Sequence, residues 1–141
     1  MRPSVPVSLA LAGALAALTL GAGCGDTDDN QDVRRTLERF ERATAEKDVQ
    51  ELCDDLFSST IVQRIRTVGL PCEVALNRAL SELRQPKLEI GRIKIDGDTA
   101  TVQVRSTAYR QPPSTDAVRL VKEENEWRVD SLAGAGPEPP G

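Results

Sequence analysis

Few side chains in this sequence could carry out catalytic chemistry, and histidine is absent from all 141 residues. Its absence removes the commonest general base near neutral pH and the commonest nitrogen ligand of zinc. The sequence also contains no glycine-rich phosphate loop and no pair of cysteines spaced as C-x-x-C. We therefore predict neither a metal site nor a cofactor site, and any catalysis would have to depend on carboxylates.

The carboxylates that stand closest together in the sequence have simpler explanations than catalysis. Asp54 and Asp55 are consecutive residues of a predicted helix, so their side chains point about 100° apart and do not converge on one substrate. The Asp-Gly-Asp stretch at 96–98 is typical of a hairpin turn. Tyr109, the only tyrosine, falls on the same alternate positions of its predicted strand as the polar residues. We therefore expect its side chain at the rim of a cavity and not in the cavity wall. The sequence therefore predicts a protein that is not an enzyme.

Cys24 stands apart from the other two cysteines, because it follows an export signal. An arginine near the start and the apolar stretch 5–20 form the basic and hydrophobic regions of such a signal. Residues 20–24 (LGAGC) resemble a bacterial lipobox, with glycine at 21 where leucine is usual. In a lipobox the cysteine is alkylated by diacylglycerol and becomes the new N-terminus. We predict that residues 1–23 are a lipoprotein signal peptide and that Cys24 anchors the protein on the extracytoplasmic side of the cell membrane; plain secretion is the alternative.

Cys53 and Cys72 each lie on the apolar face of a predicted helix, and residues 69–71 turn the chain just before the second cysteine. Export places both thiols in an oxidising compartment, where disulfides persist. We therefore predict a Cys53–Cys72 disulfide, which would close a loop of about 20 residues and contribute roughly 3 kcal/mol in the loop-entropy model. Two buried free thiols are the alternative. Cys24 has no packing partner in the pattern, so lipid is its predicted fate.

The size and charge of the chain indicate one mildly acidic domain. The whole sequence has a formal net charge of −4, whereas a nucleic-acid-binding domain would be strongly basic, so we predict no nucleic-acid partner. Residues 24–29 are expected to form the lipid anchor and an acidic tether, and residues 30–132 the folded domain. Residues 133–141 hold three prolines and no large apolar side chain, which is typical of a disordered tail.

Helices are predicted for the first half of the domain. Apolar residues recur at helical spacing in four segments, within residues 30–44, 48–56, 58–69 and 71–86. Asp29 or Asn30 is the expected N-cap of the first helix, and Ser58 or Ser59 is that of the third. The apolar face of the first helix holds Val33, Leu37, Phe40 and either Ala43 or Thr44. Glu41 belongs to the opposite, polar face.

Strands are predicted for the second half, because the apolar period changes from 3.6 to 2 at Leu88. Gly91, where the parity of the apolar residues switches, is expected to mark a bulge that bends the first strand. A turn is expected near residues 124–125, and a longer connection at 111–114 (QPPS). Trp127 is expected in the core, with its N–H bonded to a backbone carbonyl. Three or four antiparallel strands that follow three or four helices make the fold class α+β.

One face of this sheet is predicted to be basic although the protein is acidic. Alternation places five cations on the face away from the helices: Arg92, Lys94, Arg105, Arg119 and Arg128. Asp130 is expected on the same face. The solvated outer face of an antiparallel sheet explains these residues most simply. The functional alternative is a binding surface for an anionic partner, or a contact in a homodimer.

The order of elements resembles a nuclear transport factor 2-like domain over residues 30–132. The resemblance depends on the stretch 46–56 (EKDVQELCDDL), where a long first helix gives way to a short second one, and on the closing strand at 124–132 (ENEWRVDSL). It implies N-terminal helices packed on a curved antiparallel sheet, which together form a cone whose open end is often a pocket.

That family includes enzymes similar to ketosteroid isomerases and polyketide cyclases as well as binding and assembly modules, so the fold does not decide the function. Because the chain lacks histidine and has few aromatic residues, we predict a non-enzymatic cell-envelope lipoprotein. It would be held to the membrane through Cys24 and would bind an unidentified protein or small-molecule ligand. The alternative is a secreted or anchored enzyme of the isomerase or cyclase type that uses a pocket carboxylate.

Overall fold

The computed structural model describes residues 25–133, so the predicted signal peptide, Cys24 and residues 134–141 lie outside the described part. The helices are α1 (Gly25–Glu46), α2 (Val49–Glu51), which continues into a π-helical turn (Leu52–Leu56), α3 (Ser59–Thr67) and α4 (Cys72–Leu80). The strands are β1 (Lys87–Asp96), β2 (Thr99–Ala108), β3 (Gln111–Glu123) and β4 (Glu126–Ala133). None of the helices within residues 25–133 combines the length and the apolar character that crossing a bilayer requires.

The first helix begins earlier than its capping residues predicted. α1 starts at Gly25, so Asp29 and Asn30 lie inside the helix and the expected tether is helical from residue 25 onward. The Asp29 carboxylate does not cap the helix and instead accepts hydrogen bonds from Lys122 Nζ at 2.6 Å and from Trp127 Nε1 at 3.2 Å. The indole N–H of Trp127 therefore reaches a carboxylate and not the backbone carbonyl that we expected.

The shorter helices follow their sequence patterns. The Phe57 N–H donates to the Leu52 carbonyl at 2.9 Å and closes the π-helical turn, whose apolar side chains are buried. Ser58 is the N-cap of α3, since its side chain accepts a hydrogen bond from the backbone of that helix. Cys53 and Cys72 form the predicted disulfide, with their Cα atoms 6.1 Å apart. The bridge joins the π-helical turn to the start of α4.

The four strands form one antiparallel sheet in the order β1-β2-β3-β4. The pairing of β1 with β2 shifts between Ile90 and Ile93, which confirms the predicted bulge. Gly91 lies so close to β2 that an added Cβ would stand 2.9 Å from the Gln103 carbonyl oxygen. Only glycine allows this approach, and the bulge bends the strand around the helices. The hairpin turn at residues 124–125 is also confirmed.

The stretch 111–114 belongs to β3 and is not the connection that we expected. The turn before it is formed by Tyr109 and Arg110. Two prolines fit the strand because β4 reaches only as far as Ala117, so the first part of β3 pairs with β2 alone. Ala133, expected to begin the disordered tail, is the last residue of β4 and lies opposite Ala117.

The core lies between the helices and the sheet face that they cover. Its buried apolar side chains are Val33, Leu37, Ala43, Leu52, Leu56, Phe57, Ala100, Val102, Val104, Val118, Leu120, Trp127 and Val129, together with the two bridged cysteines. Each fully buried leucine or valine contributes about 1.5–3 kcal/mol to stability. Ile93 and Ile95 are only partly buried, because β1 is an edge strand.

Candidate functional site

A pocket of about 240 Å³ lies between the C-terminal half of α1, the connection from α4 to β1, and the β2–β3 hairpin. We call it the mouth pocket. Its apolar walls are formed by Phe40, Leu83, Pro86, Leu88, Ala108 and Pro112. Its polar lining includes Glu41, Thr44, Lys87, Ser106, Thr107, Gln111 and Ser114. Apolar walls with a few polar groups are the usual composition of a small-molecule site.

Unequal strand lengths create the mouth pocket. In the described part of the chain, β2 and β3 extend past Ala133, the last described residue of β4, which pairs with Ala117, so their hairpin projects beyond the rest of the described sheet. The hairpin is tied to the other wall, because the Tyr109 N–H donates to the Arg84 carbonyl at 2.9 Å. Pro86 separates the last helix from β1 and turns the chain along the same wall. Within residues 25–133, the sheet therefore leaves α1 uncovered near residues 40–44.

Two polar groups in the mouth pocket have no partner among residues 25–133. The Thr44 hydroxyl oxygen is buried and makes no hydrogen bond there. Glu41 is partly buried, and no ion pair with its carboxylate is formed within the described chain. By contrast, the hydroxyls of Ser106 and Ser114 lie 2.7 Å apart, and Ser114 also donates to Asp116 at 2.7 Å. The unsatisfied hydroxyl and carboxylate could therefore hydrogen-bond a ligand.

The opposite end of α1 is arranged differently, and we call it the closed end: Asp29, Thr36, Lys122 and Trp127. The hydrogen bond from Lys122 holds the pKa of Asp29 below its ordinary value, against the opposing effect of desolvation. The same bond raises the pKa of Lys122. The Lys122 ammonium also lies 5.3 Å from the centre of the Trp127 ring. These groups satisfy one another's hydrogen bonds within the fold.

Four of the five cations that alternation placed on the outer sheet face, Arg92, Lys94, Arg105 and Arg119, are exposed. Arg128 is the exception, because its side chain is only 16% exposed and donates to the Asp54 carbonyl at 2.7 Å. It also lies 3.2 Å from Glu126. Arg105 is 4.0 Å from Glu89, at the limit of an ion pair. Arg92 and Lys94 are exposed.

Asp130 is buried, although we expected it on the solvated face. The pairing of β3 with β4 shifts next to Arg119, and this irregularity turns the Asp130 carboxylate toward the helices. It accepts a hydrogen bond from the Ser58 hydroxyl at 2.8 Å, and its other oxygen lies 3.3 Å from the Arg119 guanidinium. Arg119 is therefore engaged within the chain, and dimerisation or anion binding through this face stays a prediction.

The other candidates from the sequence lie at the surface. Asp54 and Asp55 are exposed and contact Gln50 and Arg39 respectively, which fits a solvated helix surface. Tyr109 is 51% exposed and is not part of the mouth pocket lining, as its parity indicated. Within the described range, no three His, Cys, Asp or Glu side chains come together in an arrangement that could hold a metal ion.

No protein-family model matches this sequence, and no curated protein matches it. Solved structures do match the fold. A nuclear transport factor 2-like protein of unknown function from Shewanella baltica superposes with a TM-score of 0.55 at 18% identity, over 74% of this chain and 90% of that one. A second such protein, from Silicibacter pomeroyi, gives a TM-score of 0.54 at 13% identity, over 75% and 97%. The domain has the nuclear transport factor 2-like fold.

A third structure carries a name that suggests an activity. It is a Streptomyces avermitilis protein of the nuclear transport factor 2-like family, provisionally named a dehydratase, with a TM-score of 0.53 at 12% identity over 73% of this chain and 92% of that one. Identities this low establish the fold alone. The predicted α+β cone, with helices packed on a curved antiparallel sheet, is confirmed.

Sequence reasoning missed the role of two residues in the cone. It placed Glu41 on the solvated face of α1 and left Thr44 as one of two choices for the apolar face. Both side chains line the mouth pocket, because the sheet does not cover the end of α1. The available signal was weak: Thr44 follows Leu37 by two helical turns and is the first polar residue to continue that apolar face.

Proposed function

We propose that the chain is an extracytoplasmic lipoprotein whose cone-fold domain binds a small ligand in the mouth pocket without catalysing a reaction on it. The unpartnered Thr44 hydroxyl is the observation that carries this proposal. A buried hydroxyl without a hydrogen bond costs about 1–3 kcal/mol, and a ligand that bonds to it would recover that cost. The apolar walls around it would bury the remainder of the ligand.

The composition of the lining supports binding over catalysis. Proton transfer next to a carbonyl needs a base in the pocket and a donor for the oxyanion. Among the described residues that line the mouth pocket, Glu41 is the carboxylate, and neither a tyrosine nor an aspartate stands beside it. The chain has no histidine that could serve instead.

The disulfide supports an extracytoplasmic location, since such bridges persist in oxidising compartments. Lipid at Cys24 is the proposed anchor, because that residue follows the export signal and has no place in the core pattern. Mass spectrometry of the mature protein tests this step. We expect an acylated Cys24 at the N-terminus and loss of the protein from the membrane fraction in Cys24→Ser. An unmodified N-terminus would refute the anchor.

Binding in the mouth pocket can be tested with octan-1-ol, a neutral probe small enough for the cavity. We expect saturation-transfer NMR signals from octanol with the wild-type domain and none with Ala108→Phe, because the larger side chain fills the pocket. Ala45→Phe adds the same side chain on the exposed surface of α1 and is the matched control. If Ala108→Phe bound octanol as well as the control did, the pocket would not be the site.

A second candidate function is proton transfer by Glu41. Its carboxylate is partly buried in an apolar pocket and forms no ion pair with any described residue, as a general base would require. Solvent-deuterium exchange at the α-carbon of cyclohexanone, followed by NMR, separates the two proposals. Exchange that is catalysed by the wild type and by Glu38→Gln, but lost in Glu41→Gln, would establish an enzyme and overturn the non-catalytic proposal.

A further inference from the structure

The rim of the mouth pocket carries a second hollow that the proposed function does not use. It has a volume of about 390 Å³ and is lined by Glu82, Arg84, Tyr109, Arg110 and Gln111. We call it the rim hollow. Gln111 also lines the mouth pocket, so the two cavities adjoin at the start of β3. One ligand could therefore occupy both.

Two arginines dominate the charge of the rim hollow. Arg84 and Arg110 are exposed, and within residues 25–133 neither forms an ion pair, whereas Arg119 and Arg128 pair with carboxylates. Glu82 is the single acid in the lining. The rim is therefore locally basic in a protein whose formal net charge is −4.

The backbone fixes the two arginine-bearing segments next to each other. The hydrogen bond from the Tyr109 N–H to the Arg84 carbonyl joins the β2–β3 turn to the connection before β1. The Arg110 guanidinium carbon lies 5.2 Å from the centre of the Tyr109 ring, so the ring supports its position. These contacts reduce the ordering that an anion would otherwise require on binding.

Arg110 occupies a backbone position that suits other residues better. Its φ of 60° lies in the left-handed region, where glycine or asparagine is favoured in a two-residue hairpin turn. Four other non-glycine residues of the described chain share this conformation, so it belongs to the turn; it matters here because glycine can replace Arg110 without backbone strain.

We propose that the ligand is an amphipathic anion, with a carboxylate or phosphate head between Arg84 and Arg110 and an apolar body in the mouth pocket. Guanidinium groups bind these heads through paired, charge-assisted hydrogen bonds. The balance of charges sets the orientation, because two arginines and one glutamate line the rim hollow, whereas the mouth pocket lining holds one acid, Glu41, and one cation, Lys87. This inference rests on the proposed function, since the body of the ligand lies in the same pocket.

The test compares four probes that share one tail: octanoate, octyl phosphate, octan-1-ol and octylammonium. Titration calorimetry at constant ionic strength should show at least one of the anions binding about tenfold more tightly than octanol, the effect expected of hydrogen bonds between charged groups. Octylammonium should bind most weakly. The tighter of the two anions identifies the head as carboxylate or phosphate.

Arg110→Gly is the decisive variant, because it removes the cation and also relieves the left-handed backbone. We expect the melting temperature to be unchanged or higher while the preference for anions over octanol disappears, so that unfolding cannot explain the loss. Arg110→Lys should retain part of the preference. Arg34→Gln, which removes an exposed cation from α1 outside both cavities, should retain all of it.

The outcomes separate the inference from the proposed function. Equal binding of octanol and both anions, abolished by Ala108→Phe, would overturn the anionic head and leave the mouth pocket as the binding site. Unchanged anion preference in Arg110→Gly would also overturn it. If none of the four probes bound to the wild type, the proposed function and the inference would both fail.

Discussion

Two threonines on the same helix show how the two ends of the cone differ. Thr36 and Thr44 both carry buried hydroxyls on α1 and are eight residues apart. At the closed end, the Thr36 hydroxyl donates to the Trp127 carbonyl at 3.3 Å. At the mouth, the Thr44 hydroxyl has no partner in the described part of the chain. One end completes its hydrogen bonds within the fold, and the other leaves a group for a ligand.

The comparison also shows that a shifted pKa does not by itself locate a functional site. The pKa values of Asp29 and Lys122 move apart at the closed end, where the groups bond to each other and line neither the mouth pocket nor the rim hollow. Structural ion pairs produce such shifts as readily as active sites do. The mouth is distinguished by its geometry, with apolar walls and an unsatisfied hydroxyl. Buried groups without partners are the more useful guide in this fold.

The largest expected effect concerns the disulfide, which lies outside the mouth pocket. Replacing Cys53 and Cys72 together by alanine should lower the free energy of unfolding by about 3 kcal/mol, because the bridge closes a loop of about 20 residues. Urea unfolding of the variant and of the wild type with a reductant should give the same loss. Octanol binding should persist below the unfolding transition. A loss of binding without unfolding would show that the bridge shapes the mouth.

The second effect tests buried polar groups that are paired. Asp130→Ala should cost about 2 kcal/mol, because it leaves the buried Ser58 hydroxyl without its acceptor and removes the partner of Arg119. Asp116→Ala is the matched variant near the mouth, where Ser114 is exposed and can bond to water instead. It should cost less than about 0.5 kcal/mol. Equal losses would remove the distinction between the two regions.

The sequence predicted the parts of the fold that depend on short-range pattern. Gly91 marked the bulge because the parity of apolar residues changes there, and Cys53 and Cys72 were paired because both lie on apolar helix faces. The errors occurred where distant segments meet. Asp29 was expected to cap α1 because capping is recognised from neighbouring residues. Its actual partners, Lys122 and Trp127, are more than 90 residues away in the sequence.

The candidate site was harder to predict than the fold. Residues 111–114 could be recognised as a strand only from the length of β4, which leaves that part of β3 at an edge. Because described β4 ends opposite Ala117, the described sheet does not cover the end of α1. Glu41 and Thr44 therefore line a pocket that their positions on the helix alone do not reveal. Arg84 lies in the irregular connection before β1 and Arg110 in the β2–β3 turn, and neither segment has an apolar periodicity that would reveal its position. Their proximity follows from one backbone hydrogen bond across the rim.

The threonine pair gives the third prediction, in which equivalent substitutions act in opposite directions. Thr36→Val should lower the free energy of unfolding by about 1 kcal/mol, because the Trp127 carbonyl loses its donor. Thr44→Val should raise it by up to about 1 kcal/mol, since the substitution removes a buried hydroxyl that bonds to nothing in residues 25–133. Urea unfolding of both variants measures these changes. Destabilisation by Thr44→Val would mean that its hydroxyl is satisfied, and the proposed ligand contact would fail.

The smallest expected effect is the pH dependence of the closed end, because water still reaches the Asp29–Lys122 pair and screens it. The pKa of Asp29 is lowered in the folded state, so its contribution is present above the ordinary value of 3.8 and is lost as the pH falls through the lowered pKa. The pKa of Lys122 is raised, so its contribution is present below the ordinary value of 10.5 and is lost as the pH rises through the raised pKa.

Asp29→Asn should therefore be less stable than the wild type between these limits, and the difference should close as the pH falls below the lowered pKa. Urea unfolding of both proteins from pH 2 to pH 8 measures the difference. Asp28→Asn, which changes an exposed carboxylate one residue earlier on α1, controls for the change in net charge. A constant difference across the range would show that the carboxylate acts through packing and not through its charge. Octanol binding at the mouth should be the same in all three proteins, because the closed end makes no contact with the mouth pocket.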